Sequence, residues 1–354
     1  MAISSRQKTV KKSAKRKPEK APNRRSLILA ELSYQRGEIG KTMQLLKRMR
    51  SDSVTPGFKE ENLYGCSLGL GLEIKKSTRV FEKLSRKFRK SGLYYEKARF
   101  NLGLVHLYRD LLEYGDQTVT KQAMTGQVLI GQDSPPMVNY QKAFQDSIDV
   151  WSELLPKTKH YRNIVLAFLA YAFLLRGDLQ KALDAIQESL SLSKSFYISY
   201  YVAAKIFLDF YFLTDDGISF TLPPESFQFF NCNKDDVLKE EEDRLRVFSD
   251  VYIRTAQDLL AEALKKNPNA PELYISMIIC TYCFGQDEEL QRYLNDAEAM
   301  IPESKVLLDT VYWLVRESSG SPGDIKVLLN RLKEVGEGSS NSHVFHLIAP
   351  YYLI

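Results

Sequence analysis

The sequence predicts an all-α repeat fold, and three observations carry that expectation. From Ser26 onward apolar residues recur at three- and four-residue steps, the spacing of a helix with one buried face, while strand-like alternation is rare. The few turn signals fall at regular intervals. Landmarks also return on a 34-residue step: Leu68-Gly69 and Leu102-Gly103, Ala170 and Ala204, and the helix endings Ala263 to Pro268 and Ala297 to Pro302. A fixed period of this length marks one supersecondary unit stacked on itself.

The helix pairs follow in chain order. Residues 24–50 form a degenerate first pair turning at Gly37-Glu38, and residues 58–92 form the second. The third (94–156) and fifth (197–268) are too long for one repeat and take insertions near 113–138 and 214–243 between their two helices. The fourth, 163–194, is the clearest. Its pattern is Leu166-x-x-Leu169-Ala170-x-x-Phe173-x-x-x-Gly177-Asp178-x-x-x-Ala182-x-x-x-Ile186-x-x-Ser189. The small residues let two helices approach, Gly-Asp makes the turn, and Ala182 sits where the helices cross. The sixth pair, 271–302, starts near Pro271 after Asn267-Pro268 has stopped the preceding helix, and the seventh covers 305–335. This pattern resembles the tetratricopeptide repeat (TPR) family over most of residues 24–335. The resemblance implies an all-α, right-handed α-solenoid of about seven TPR-like helix pairs with two insertions, the array occupying 26–335.

The flanks differ in composition. Residues 1–25 carry ten Lys/Arg against one Glu and almost no large apolar side chains, so they are expected to form a disordered basic arm. Residues 26–110 add seventeen Lys/Arg against nine acids, whereas the whole chain is only +5, so the remainder is strongly acidic. Residues 336–354 are a polar linker and the apolar tail HVFHLIAPYYLI, which either caps the array or docks into another molecule. No apolar stretch reaches membrane-spanning length and no secretory signal layout precedes the array; together with four unevenly spaced cysteines this suggests a reducing, cytoplasmic address.

For function, the resemblance implies a concave groove lined by the first helix of each pair, which in the family holds a peptide or helix of a partner protein. Register places Phe100, Leu104, Ala167, Tyr171, Tyr201, Lys205, Ile275, Ile279, Tyr282 and Trp313 there. That lining is apolar and aromatic, without the dense Lys/Arg clamp of carboxylate-binding members. The bland alternative is that these residues are core.

A second surface suits an anionic partner such as nucleic acid, an acidic protein or a lipid surface. It joins Lys11, Lys12, Lys15, Arg16 and Lys17 of the arm with the basic helix Lys75 to Lys90, including Arg86, Lys87, Arg89 and Lys90. That helix sets Val80, Phe81, Leu84 and Phe88 on one face and eight Lys/Arg around the rest. Its bland alternative is a solvated outer face, and no aromatic-interleaved basic motif of a known nucleic-acid module is present.

The 214–243 insertion carries Phe227, Phe229 and Phe230 before an acidic run, which either caps the groove or meets a partner. Cys280-x-x-Cys283 and His343-x-x-His346 lack the neighbouring ligands of a metal site, and no catalytic motif is present. The expectation is a non-enzymatic interaction scaffold with no cofactor, the anionic-partner reading standing as its alternative.

Overall fold

The computed structural model describes residues 24–52, 56–114, 142–215 and 241–300. Twelve helices and no strand occur among the described residues. They are α1 (Arg24–Gln35), α2 (Ile39–Asp52), α3 (Phe58–Leu70), α4 (Ile74–Lys87), α5 (Gly92–Tyr114), α6 (Gln145–Leu154), α7 (Arg162–Arg176), α8 (Leu179–Leu192), α9 (Tyr197–Asp215), α10 (Glu241–Lys266), α11 (Pro271–Cys283) and α12 (Asp287–Met300). Six helix pairs follow one another; the seventh, the tail, the basic arm before Arg24 and the insertions between Tyr114 and residue 142 and between Asp215 and Glu241 lie outside the described residues.

Within each pair the two helices pack on each other, and the second helix also packs on the first helix of the next pair. First helices touch from pair to pair: α1 on α3, α3 on α5, α7 on α9 and α9 on α11. Between α5 and α7 the contact is carried by the Phe100 and Phe168 rings, 5.4 Å apart. The array therefore has an inner layer of first helices and an outer layer of second helices. One apolar core runs from α1 to α11, and a smaller cluster of Tyr274, Ile278, Leu290, Leu294 and Ala297 joins α11 to α12. With no described element before it, α1 leaves Ile28, Leu29 and Leu32 exposed.

The four described turns inside pairs share one hydrogen-bond pattern. In the fourth pair Gly177 N–H donates to the Leu174 carbonyl and Asp178 N–H to Phe173. Gly177, at φ 89°, adopts the left-handed conformation this helix ending needs. The second pair makes the same bonds, from Leu72 to Gly69 and from Glu73 to Leu68, with Leu72 at φ 62° in the place of the glycine.

The third and fourth pairs are tied by a buried carboxylate. Glu96 on α5 accepts from Thr158 Oγ1 at 2.8 Å, from the backbone N–H of Lys159 and His160 at 3.3 and 3.2 Å, and meets His160 Nδ1 at 3.3 Å. Burial pushes its pKa up, but these donors outweigh burial and hold it below the usual carboxylate range. Its folded pKa being lowered, Glu96 contributes stability above its ordinary pKa, and that contribution is lost as pH falls through the lowered value. Glu96→Ala is expected to cost about 2–3 kcal/mol in urea denaturation at pH 7, because the buried Thr158 hydroxyl and the part-buried donors of Lys159 and His160 lose their acceptor. A cost under about 0.5 kcal/mol would show that water replaces the carboxylate.

Candidate functional site

The orientation of α4 is set by its packing on α3. Ser77 Oγ donates to the Gly65 carbonyl at 2.7 Å, and the Phe81 ring lies so close to Gly65 that a Cβ there would sit 2.8 Å from Phe81 Cζ. Phe81, Leu84, Ser77 and Ser85 are buried, with Val80 and Phe88 partly buried beside them. With the apolar face committed inward, Lys75, Lys76, Arg79, Lys83, Arg86, Lys87, Arg89 and Lys90 are all exposed. Lys76 pairs with Glu73, and Arg86 with Glu82 at 3.6 Å. The other six form no ion pair among the described residues. Arg86 and Lys87 also favour the last turn of α4, where the helix dipole presents its negative end. Exposed Lys41, Lys47 and Arg48 on α2 extend the basic surface to the neighbouring outer helix.

At one end of this surface three aromatic rings meet. Phe58 opens α3, Phe88 follows the last residue of α4 and Tyr94 lies in the first turn of α5, so the up-and-down course of the chain brings all three to the same edge. Tyr94 stacks on Phe58 with centroids 4.4 Å apart and ring planes 16° from parallel. Phe88 meets both edge-on, at 5.2 and 5.6 Å. Phe58 is buried, whereas Tyr94 is 38% exposed and its neighbour Leu93 41%. Lys87 Nζ lies 5.2 Å from the Phe88 ring. Lys59 is exposed beside Phe58, and its charge, added to the larger effect of burial, holds the Lys97 pKa below the usual lysine value.

The groove residues fare differently. Phe100, Leu104 and Ala167 are fully buried in the core, which corrects their expected role as lining. For Ala167 the physical reason is that α7 has no polar face in its middle, every residue from Val165 to Ala172 being buried, and Phe100 and Leu104 lie in an equally buried run of α5, residues 100–105. A helix that is apolar all round packs on all sides. Tyr171 and Tyr201 are each 5% exposed. The structure does bring them together with Lys205, whose Nζ is 5.6 Å from each ring. Lys205, Ile275, Ile279 and Tyr282 are half-buried. Trp313, the arm residues Lys11, Lys12, Lys15, Arg16 and Lys17, the insertion phenylalanines and His343 and His346 lie outside the described residues.

Two other polar clusters are accounted for by packing. Arg109 bridges Asp110 at 2.7 Å and Asp146 at 3.0 Å beside His106, while Asp110 accepts from the Phe144 N–H at 3.0 Å, closing α5 onto α6 with the guanidinium between two carboxylates. Cys280 is buried, and burial pushes its thiol pKa well up, as suits a packing residue. Among the described residues no group of three or more His, Cys, Asp or Glu is arranged to hold a metal ion. No helix among them is long and apolar enough to cross a membrane.

Sequence reasoning found the basic face but missed Phe58 and Tyr94 as parts of a surface. The available signal was local: aromatics stand on both sides of the last cations, in Phe88-Arg89-Lys90-Ser91-Gly92-Leu93-Tyr94.

Stacked helix pairs in two layers define a helical-repeat protein. No protein-family model matches the chain, and no curated protein sequence matches it. Among solved structures the chain is similar to a monomeric mutant of IFIT1 solved with m7Gppp-AAAA, at 12% identity and a TM-score of 0.43, over 86% of this chain and 67% of that one.

Proposed function

We propose that this chain is a non-enzymatic, TPR-type binding scaffold that engages an acidic partner macromolecule through the basic outer face of its second helix pair. One observation carries the reading: six exposed cations from Lys75 to Lys90 make no ion pair among the described residues, on a helix whose orientation the Gly65–Phe81 contact fixes. Surface cations that are already neutralised contribute little to recruitment. Uncompensated ones of a single sign raise the local concentration of an anionic partner and speed its association.

Partner binding in the inner groove is the second reading. It is favoured by Lys205 seated over two tyrosines and by half-buried Ile275, Ile279 and Tyr282 nearby in the array.

The two surfaces separate in one experiment, affinity purification from the native cell followed by mass spectrometry. Lys75→Glu/Arg79→Glu/Lys83→Glu/Lys87→Glu is expected to lose the main partners while its thermal unfolding stays close to wild type, since these side chains hold no ion pair among the described residues. Partners that survive the charge reversal and are lost on Ile279→Asp would move the binding site to the groove. An unchanged partner set in the charge-reversed protein would end the basic-face reading.

A further inference from the structure

The aromatic cluster at the end of the basic face has a composition that general acidity in a partner does not explain. A purely electrostatic surface needs cations alone. Here a tyrosine ring is held flat on a buried phenylalanine, braced edge-on by a second one, and left 38% exposed. Lys59 beside Phe58, and Lys87, Arg89 and Lys90 around Phe88, are all exposed. We propose that Phe58, Phe88 and Tyr94 form a stacking platform for an unpaired base, and that the cations beside them and along α4 hold the phosphates of a single-stranded nucleic acid. This deepens the basic-face reading and rests on it.

Three arguments favour a single strand over the other anionic macromolecules. First, a ring fixed by stacking offers a base its remaining face without a cost in side-chain entropy, and every base has a π-face to use it. In a duplex those faces are already covered. Second, α4 is about 21 Å long at 1.5 Å per residue. Its cations therefore follow a backbone over several nucleotides rather than meeting one acidic group. Third, stable binding to a lipid surface gains from apolar side chains that insert beside the cations, and α4 exposes no large one. Phe81 and Leu84 are in the core, leaving only Leu93 and Tyr94 as large exposed apolar groups in the Phe88–Tyr94 segment.

The test uses the full chain and a fluorescently labelled mixed-sequence RNA of about 16 nucleotides, a length within single-strand site sizes. Parallel arms use the matched duplex and vesicles of phosphatidylserine and phosphatidylcholine. Fluorescence anisotropy is expected to show salt-dependent binding of the single strand. Tyr94→Ala should weaken it roughly tenfold or more, with the salt slope unchanged, and Tyr94→Phe should retain it. Lys87→Ala/Arg89→Ala/Lys90→Ala should lower the slope of log affinity against log salt by about 2. Circular dichroism melting checks that each variant folds.

Single-strand binding indifferent to Tyr94→Ala overturns the platform, as does duplex binding of equal strength. So does vesicle binding that depends on Tyr94 without any RNA binding. If no oligonucleotide binds but the charge-reversed protein still loses its cellular partners, the platform fails and the basic-face reading stands. If the platform variants behave as expected and cellular partners ignore the charge reversal, the basic-face reading is the one that fails.

Discussion

A single methyl group added at position 103 is expected to cost this protein about 4 kcal/mol or more, enough to unfold its third helix pair. A Cβ on Gly103 would sit 2.3 Å from Trp151 Nε1 and 2.4 Å from its Cε2. These are the middle of a rigid ring system, so no flexible end can yield. Trp151 is itself fully buried, donates its indole N–H to the Phe100 carbonyl at 3.2 Å, and packs within 6.0 Å of the Phe100 ring and 5.8 Å of Phe168. Moving it breaks a buried hydrogen bond and pushes on α7, carrying the strain into the fourth pair. Gly40→Ala is the control, since nothing lies within 4 Å of its added carbon. Urea denaturation should show that control at or slightly above wild-type stability, with Gly103→Ala unfolded or nearly so. A Gly103→Ala protein within about 1 kcal/mol of wild type would mean that the α5–α6 crossing relaxes in a way its packing gives no sign of.

The same contact shows what the sequence could and could not say. Helix starts were legible because they follow local rules. The first helices of the opening three pairs begin at Arg24, Phe58 and Gly92, on the 34-residue step that the landmarks suggested. Crossing points were less legible. The step paired Gly103 with Gly69, and it did not point to Gly65, four residues earlier, where a Cβ in α3 would strike the Phe81 ring. The groove was misjudged in its middle because repeat register tells which positions face inward, not whether neighbouring turns leave them open. The corrective signal was present in Val165 to Ala172, eight residues without a charge, as a helix buried on every side requires. The aromatic platform had no such signal in full. Phe58 stands thirty residues before Phe88, and only the return of the chain through α3 and α4 brings their rings to 5.2 Å.

Glu272→Gln is expected to stabilise the protein at pH 8 by about 3 kcal/mol and to change little at pH 5. Glu272 follows Pro271 in the first turn of α11, a position where the helix dipole ordinarily welcomes a carboxylate. Here burial overrides the dipole. The side chain is on a residue only 4% exposed, and Tyr197 OH on α9 donates to its Oε1 at 3.2 Å. Burial raises its pKa from 4.5 to about 7, its own backbone N–H offsetting only part of the effect. Because the folded value is the higher one, the folded chain binds the extra proton between pH 4.5 and about 7. Stability from this group is therefore complete below pH 4.5, falls as pH rises through that window, and levels off above it. At about 1.4 kcal/mol per pH unit the full penalty is about 3 kcal/mol. Glutamine keeps an acceptor for Tyr197 and carries no charge, so the difference between variant and wild type isolates this residue from the other titrating groups. Urea denaturation at pH 5, 6, 7 and 8 should show that difference growing with pH, and parallel pH profiles would exclude a buried, mostly neutral carboxyl between α9 and α11. Glu96 works with the opposite sign, its lowered pKa costing stability only toward acid. Two repeat junctions are thus joined by buried glutamates, one kept charged by its donors and one whose proton burial retains up to about pH 7, and raising the pH from 4.5 toward 7 should weaken the α9–α11 junction while leaving the Glu96 junction intact.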